Sequence, residues 1–187
     1  MADDVLLDAA RSCVLAVGVR RTTLAEIART ARVSRMTVYR RFPDVRSVLA
    51  ALMTREFSGL LRTATERGAE AAHSRERLVT IASAGVRALA TDPLFRTLLD
   101  VDPELVLPYI VERLGGTQKF AEQALHHLLE AGHQDGSIRQ APVAAQSRAV
   151  LLVVQSFAFS LRPATVDVTE ADLMAEFTHV LDAALKP

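Results

Sequence analysis

Residues 34–46, SRMTVYRRFPDVR, crowd Arg35, Arg40, Arg41 and Arg46 into one short segment, interleaved with Met36, Thr37 and Tyr39. A guanidinium pairs bidentately with the O6/N7 edge of guanine or with a phosphate. A threonine offers a methyl to thymine and a hydroxyl to a base edge, and a phenol can donate to the sugar–phosphate chain. Stepping about 100° per residue around a helix from Val38 places Met36 and Arg40 nearly opposite it. Thr37 and Tyr39 then lie on the flanks and Arg35 and Arg41 at the shoulders. The segment therefore reads as a short helix anchored through Val33, Val38 and Phe42, with a cationic face chemically suited to a DNA major groove. The plainer alternative is a basic, solvated helix.

Such a helix needs a support that fixes its angle. Thr23-Leu-Ala-Glu26 has the spacing of a capping box, so a helix is expected to start there, buried through Leu24, Ile27, Ala28 and Ala31. Ser34 is a suitable N-cap for the next helix, which Pro43 stops near Phe42. Ahead of both, residues 4–17 pattern as a helix ended by Gly18. Helix, four-residue turn, helix is the helix-turn-helix arrangement, whose second helix enters the groove while the first crosses the backbone.

Residues 6–52 resemble the DNA-binding domain of the tetracycline-repressor (TetR) family of bacterial regulators. The run TTLAEIA–x–x–A–x–VS–x–x–TVY–x–x–FP carries the match, with LLDAA and Gly18 falling where that family has them. The resemblance covers about a quarter of the chain. It implies a ligand-responsive homodimeric repressor on a palindromic operator, with dimer contacts through helices about 143–161 and 170–185. It also implies a small-molecule effector, of unread identity, that relieves repression. Carried over by position, Arg35, Met36 and Thr37 approach base edges, and Thr23, Ser34, Tyr39, Arg40 and Arg41 contact backbone or groove wall. Two positions depart from the family pattern. Arg32 stands at the turn usually held by glycine, which costs roughly 1 kcal/mol if the backbone there is left-handed. Val45 replaces a lysine, leaving Arg46 as the candidate for that phosphate contact.

The whole chain fits this reading. Its 187 residues are 50% hydrophobic with zero formal net charge, but the average hides an asymmetry. Residues 1–55 hold ten arginines against Asp3, Asp4, Asp8, Glu26 and Asp44, and the remainder carries the compensating acid excess. The expected architecture is all-α, about nine helices, divided into a helix-turn-helix domain over 1–50 and a helical regulatory and dimerisation domain over 51–187. Asp44, Ser74, Asp92-Pro93, Asp102-Pro103 and Thr169 are read as helix starts, and Gly132 as a stop. Leu78, Ile81, Val86 and Leu89 are the expected buried positions after Ser74. On the last helix the expected stripe is Leu173, Phe177, Val180 or Leu181, and Ala184. Helix 143–161 is apolar around its circumference and so needs covering on more than one side.

A ligand cavity is expected from Phe95, Tyr109, Phe120, His127 and Phe157, helped by His126 and Phe159. No cofactor is expected. The single Cys13 excludes an internal disulfide and reads as a small buried hydrophobe. The apolar run Ala149–Leu161 is too short for a bilayer and the acidic N-terminus shows no signal peptide, so a cytoplasmic protein is expected. An enzyme is the rival class: Glu122, His126 and Glu130 recur at i, i+4 and i+8, followed by His133 and Asp135. Lacking a matching set on another helix, this ladder is read as ordinary ion pairing, with no metal and no catalytic residue. A dimeric helical module that no longer binds DNA is the other alternative.

Overall fold

A computed structural model describes residues 2–187, save the side chains of Ala2 and Tyr109. Every regular element among them is helical: α1 (Ala2–Val17), α2 (Leu24–Thr30), α3 (Arg35–Arg41), α4 (Val45–Arg67), α5 (Ser74–Thr91), α6 (Pro93–Val101), a 3-10 turn (Pro103–Leu105), α7 (Pro108–Val111), α8 (Gly116–Gln134), α9 (Val143–Ala164) and α10 (Glu170–Leu185). They form two compact units. One takes in Met1–Phe57 with Asp92–Leu114, the other Ser58–Thr91 with Gly115–Pro187.

The first unit is built on α1. Its Leu6, Ala10 and Val14 meet Ile27 and Ala28 of α2, Val38 of α3 and Val48 and Leu52 of α4, and the same core continues into Leu94 and Leu98 of α6. Phe57 and Phe95 meet edge to face at 5.8 Å. Segment 92–114, which the chemistry of its sequence does not tie to the N-terminus, thus contributes Leu94, Phe95 and Leu98 to the head's interior. Asp102 explains much of this. Its spacing before Pro103 reads as a helix cap, yet it makes no capping bond. Its Oδ2 instead accepts the Val19 N–H at 2.7 Å, across 83 residues. Arg20 closes over the joint, bonding Glu104 at 2.6 Å with its Nε 3.8 Å from Asp102 Oδ1. Gly18 (φ +80°) is required twice over, because a Cβ there would stand 2.8 Å from Val101 Cγ1.

The second unit packs α5 against α8, α9 and α10, with Leu78, Val86, Leu129, Ile138, Phe177 and Leu185 inside. Leu89 is only half-buried. Two expectations change here. The α8 helix does not stop at Gly132 but runs to Gln134. Gly132 is a contact point, where a Cβ would lie 2.3 Å from Ile138 Cδ1. The inward stripe of α10 is Met174, Phe177, Leu181 and Leu185, so Leu173 and Ala184 sit beside it and Val180 is exposed. Helix α9 is longer than its apolar run and, with a mean hydropathy of 1.3, is long and apolar enough to cross a membrane. It packs on α5, α8 and α10 along one side, burying Gln146, Ser147, Val150, Leu151, Ala158 and Leu161.

Candidate nucleic-acid interface

The α2–α3 pair forms as its local signals require. Thr23 caps α2, its Oγ1 accepting the Glu26 N–H at 3.2 Å. The reciprocal half of the capping box is replaced: the Glu26 carboxylate takes a bond from Arg29 Nη2 at 2.7 Å. Helix α2 ends in a Schellman turn, with Val33 N–H donating to Ala28 O at 3.0 Å and Arg32 N–H to Arg29 O at 3.2 Å. That turn puts Arg32 at φ 56°, in the left-handed region where glycine is favoured. Ser34 then caps α3 by accepting the Thr37 N–H at 3.1 Å, and the Ser34 and Thr37 hydroxyls share a hydrogen bond of 2.8 Å. The chain turns extended at Phe42, and Asp44 opens α4 by accepting the Ser47 N–H at 2.7 Å.

Burial divides α3 as its periodicity demands. Val38 is fully buried, while Met36 is 74% and Tyr39 52% exposed. Arg35 and Arg40 are exposed beside them and Thr37 is half-buried. Val45 packs on the core, and its neighbour Arg46 points to solvent. An open groove of about 380 Å³ lies between α2 and α3, lined by Ala25, Glu26, Ala28, Arg29, Val33 and Arg35.

The arginines fall into two electrostatic groups. Arg29 is paired with Glu26, and Arg41 makes a two-point pair with Asp3 in the first turn of α1. The side chains of Arg21, Arg32, Arg35, Arg40 and Arg46 have no ion-pair or hydrogen-bond partner among the described residues. Sequence spacing places Arg35 and Arg40 on the exposed side of α3 but is silent about Asp3, since the carboxylate that meets Arg41 lies 38 residues away.

The expected cavity residues are divided between the two units. Phe95 is buried in the first unit against Phe57, and the Tyr109 side chain lies outside the described residues. In the second unit Phe157 stacks at a tilt on Phe177 at 4.6 Å, while Phe120 and His127 are exposed. A feature missed by sequence reading is Gln155, whose buried Oε1 has no hydrogen-bond partner. The acidic–histidine ladder of α8 is dispersed in salt bridges: Glu122 holds Arg148 at 2.7 Å and Glu130 faces His126 at 3.5 Å. Among the described residues no group of three or more His, Cys, Asp or Glu is placed to hold a metal.

The family model described as bacterial regulatory proteins, tetR family, matches residues 6–52. An uncharacterized HTH-type transcriptional regulator of Mycobacterium bovis is 38% identical over 180 residues, 96% of this chain and 92% of its own length. Among solved structures, a TetR-family transcriptional regulator from Pectobacterium atrosepticum superposes with a TM-score of 0.74 at 17% identity, over 97% of this chain and 91% of its own. The transcriptional regulator FadR from Bacillus subtilis, solved in complex with stearoyl-CoA, gives 0.69 at 18% identity, over 97% and 98%.

Proposed function

Because the chain belongs to the tetR family of bacterial regulatory proteins, and so is a DNA-binding transcriptional regulator, we propose that it works in the cytoplasm as a ligand-responsive homodimeric repressor. The observation that carries the DNA-facing assignment is the division of α3: Val38 wholly inside, with Met36, Arg35 and Arg40 outside and unpaired. Arg35, Met36 and Thr37 read base edges; Thr23, Ser34, Tyr39, Arg40, Arg41 and Arg46 contact backbone or groove wall. Dimerisation is supported by exposed small and apolar residues on the two last helices. These are Ala145, Ala149 and Leu152 on α9 and Ala175, Val180 and Ala183 on α10. Two-fold symmetry then requires an inverted-repeat operator with recognition helices roughly 34–36 Å apart.

The effector is a small molecule, not a cofactor, and the second unit is its proposed site. Gln155 supports this choice as an unpaired buried acceptor within the apolar stretch of α9, close in sequence to Phe157. A ligand can switch the protein only by preferring the arrangement of the two heads that misfits DNA. The stearoyl-CoA of the Bacillus subtilis regulator belongs to that protein, and the low identity transfers the fold alone.

Gel-shift binding to DNA flanking the protein's own gene tests the reading. A retarded band that competes with an unlabelled inverted repeat but not with scrambled duplex is expected. The absence of any specific complex would sink the assignment. Compounds that release the band identify the effector, and Gln155→Leu should weaken release without weakening DNA binding.

A further inference from the structure

Asp3 and Arg41 meet through two parallel bonds, the guanidinium Nε to one carboxylate oxygen and Nη2 to the other. The pair joins the first turn of α1 to the last turn of α3. Both groups stay at the surface, Arg41 60% and Asp3 39% exposed. The hydrogen bonds from Arg41 hold the Asp3 carboxyl below its ordinary range, and the same contact raises the guanidinium. The N-terminal end of α1 also favours a carboxylate. Arg41 adjoins Arg40 and shares the helix with Arg35, and neither of these has a carboxylate partner. So one cation of the DNA-facing helix is answered from within the chain by a group with the geometry of a phosphate: two oxygens, planar to the fork, negatively charged. An exposed pair of this kind is weak, so a polyanion can displace it.

We propose that Asp3 is a built-in competitor of the DNA backbone, occupying Arg41 in the free protein and yielding it when DNA binds. The inference rests on the reading of α3 as the DNA-facing helix. Asp3 therefore holds down affinity for duplex of any sequence while leaving the base-reading positions Arg35, Met36 and Thr37 alone. Its effect is proportionally largest on non-specific binding, where backbone electrostatics supply nearly all the free energy. A regulator that searches a genome benefits from that discrimination, because non-specific sites vastly outnumber the operator.

The test is equilibrium binding of the full-length protein to a short fluorescent duplex of arbitrary sequence, followed across a salt series. Asp3→Asn should bind up to about fivefold tighter at low salt, with little change in salt slope, because Arg41 meets a phosphate in both complexes. Asp3→Ser should do the same, which keeps the test open if one variant folds poorly, as thermal melts would reveal. In an Arg41→Gln background the Asp3 substitutions should change nothing, and Asp3→Glu should retain native affinity. Unchanged or weaker binding by folded Asp3→Asn or Asp3→Ser overturns the proposal. So does an equal tightening in the Arg41→Gln background, which would make Asp3 a remote charge only. Native protein that binds no duplex at low salt would instead remove the DNA-binding reading beneath it.

Discussion

Arg32 holds a backbone angle that favours glycine, φ 56°, at the centre of the turn between the two DNA-facing helices. The Schellman bonds on either side of it enforce that angle. Arg32→Gly should therefore stabilise the fold by up to about 1 kcal/mol, partly offset by the freer unfolded chain. The same change should weaken DNA binding by removing an unpaired cation. Urea titration and a binding isotherm on the one variant measure both signs. Asp102 makes the opposite case. Asp102→Ala orphans the buried Val19 N–H and should cost about 1–3 kcal/mol, whereas Asp102→Asn keeps an acceptor and should cost distinctly less; equal losses would transfer the role to the charge facing Arg20. At Asp135 the Ser137 hydroxyl, then the Ser74 hydroxyl, with both backbone N–H groups, hold the carboxyl well below its ordinary value. A depressed acid stabilises the fold above its unfolded pKa and loses that contribution as pH falls. Native protein should lose thermal stability below about pH 4, and Asp135→Asn should flatten that part of the profile. At this scale the sequence shows caps well, because Thr23, Ser34, Asp44, Asp92 and Thr169 bond amides three residues away. It hides Asp3 and Asp102, whose partners lie 38 and 83 residues off.

Helix α3 is seven residues long, too short to stand without its support, so its angle depends on Val38. Val38→Ala should destabilise the first unit by about 1.5–3 kcal/mol and weaken DNA binding although no DNA-facing charge changes; chemical denaturation and the salt-series isotherm would separate the two losses. Periodicity was sufficient to find this helix because its buried and charged faces are sharply opposed. It was less informative on α10, where leucine, alanine, valine and methionine occur on adjacent faces and burial follows Met174 and Leu185. It also misjudged Gly132, since a glycine that ends a helix and one that admits a neighbour look alike until Ile138 is located. Gly132→Ala should cost about 1–3 kcal/mol through that clash. Adding Ile138→Ala should cost less than the two changes summed, a coupling measurable by a double-mutant cycle.

For the molecule as a whole, paired subunits present ten unpaired guanidinium groups if each contributes Arg21, Arg32, Arg35, Arg40 and Arg46. With Arg41 released from Asp3 on each subunit the total rises to twelve, so at about 0.9 per neutralised phosphate the slope of log affinity against log salt should not exceed about 11 in magnitude. Leu152→Glu with Val180→Glu should yield a monomer in sedimentation, with operator affinity falling much more than affinity for arbitrary duplex. The all-helical class and the helix-turn-helix were legible because both rest on short-range pattern. The composition of the head was not, since Leu94 and Leu98 carry no mark linking them to α1. That arrangement has a practical consequence. A gene fragment ending at residue 57 would encode the whole helix-turn-helix yet leave its underside bare of α6 and of the Asp102 tether. The head is therefore not a portable cassette, and grafting it onto another scaffold should succeed only when residues 92–114 travel with it.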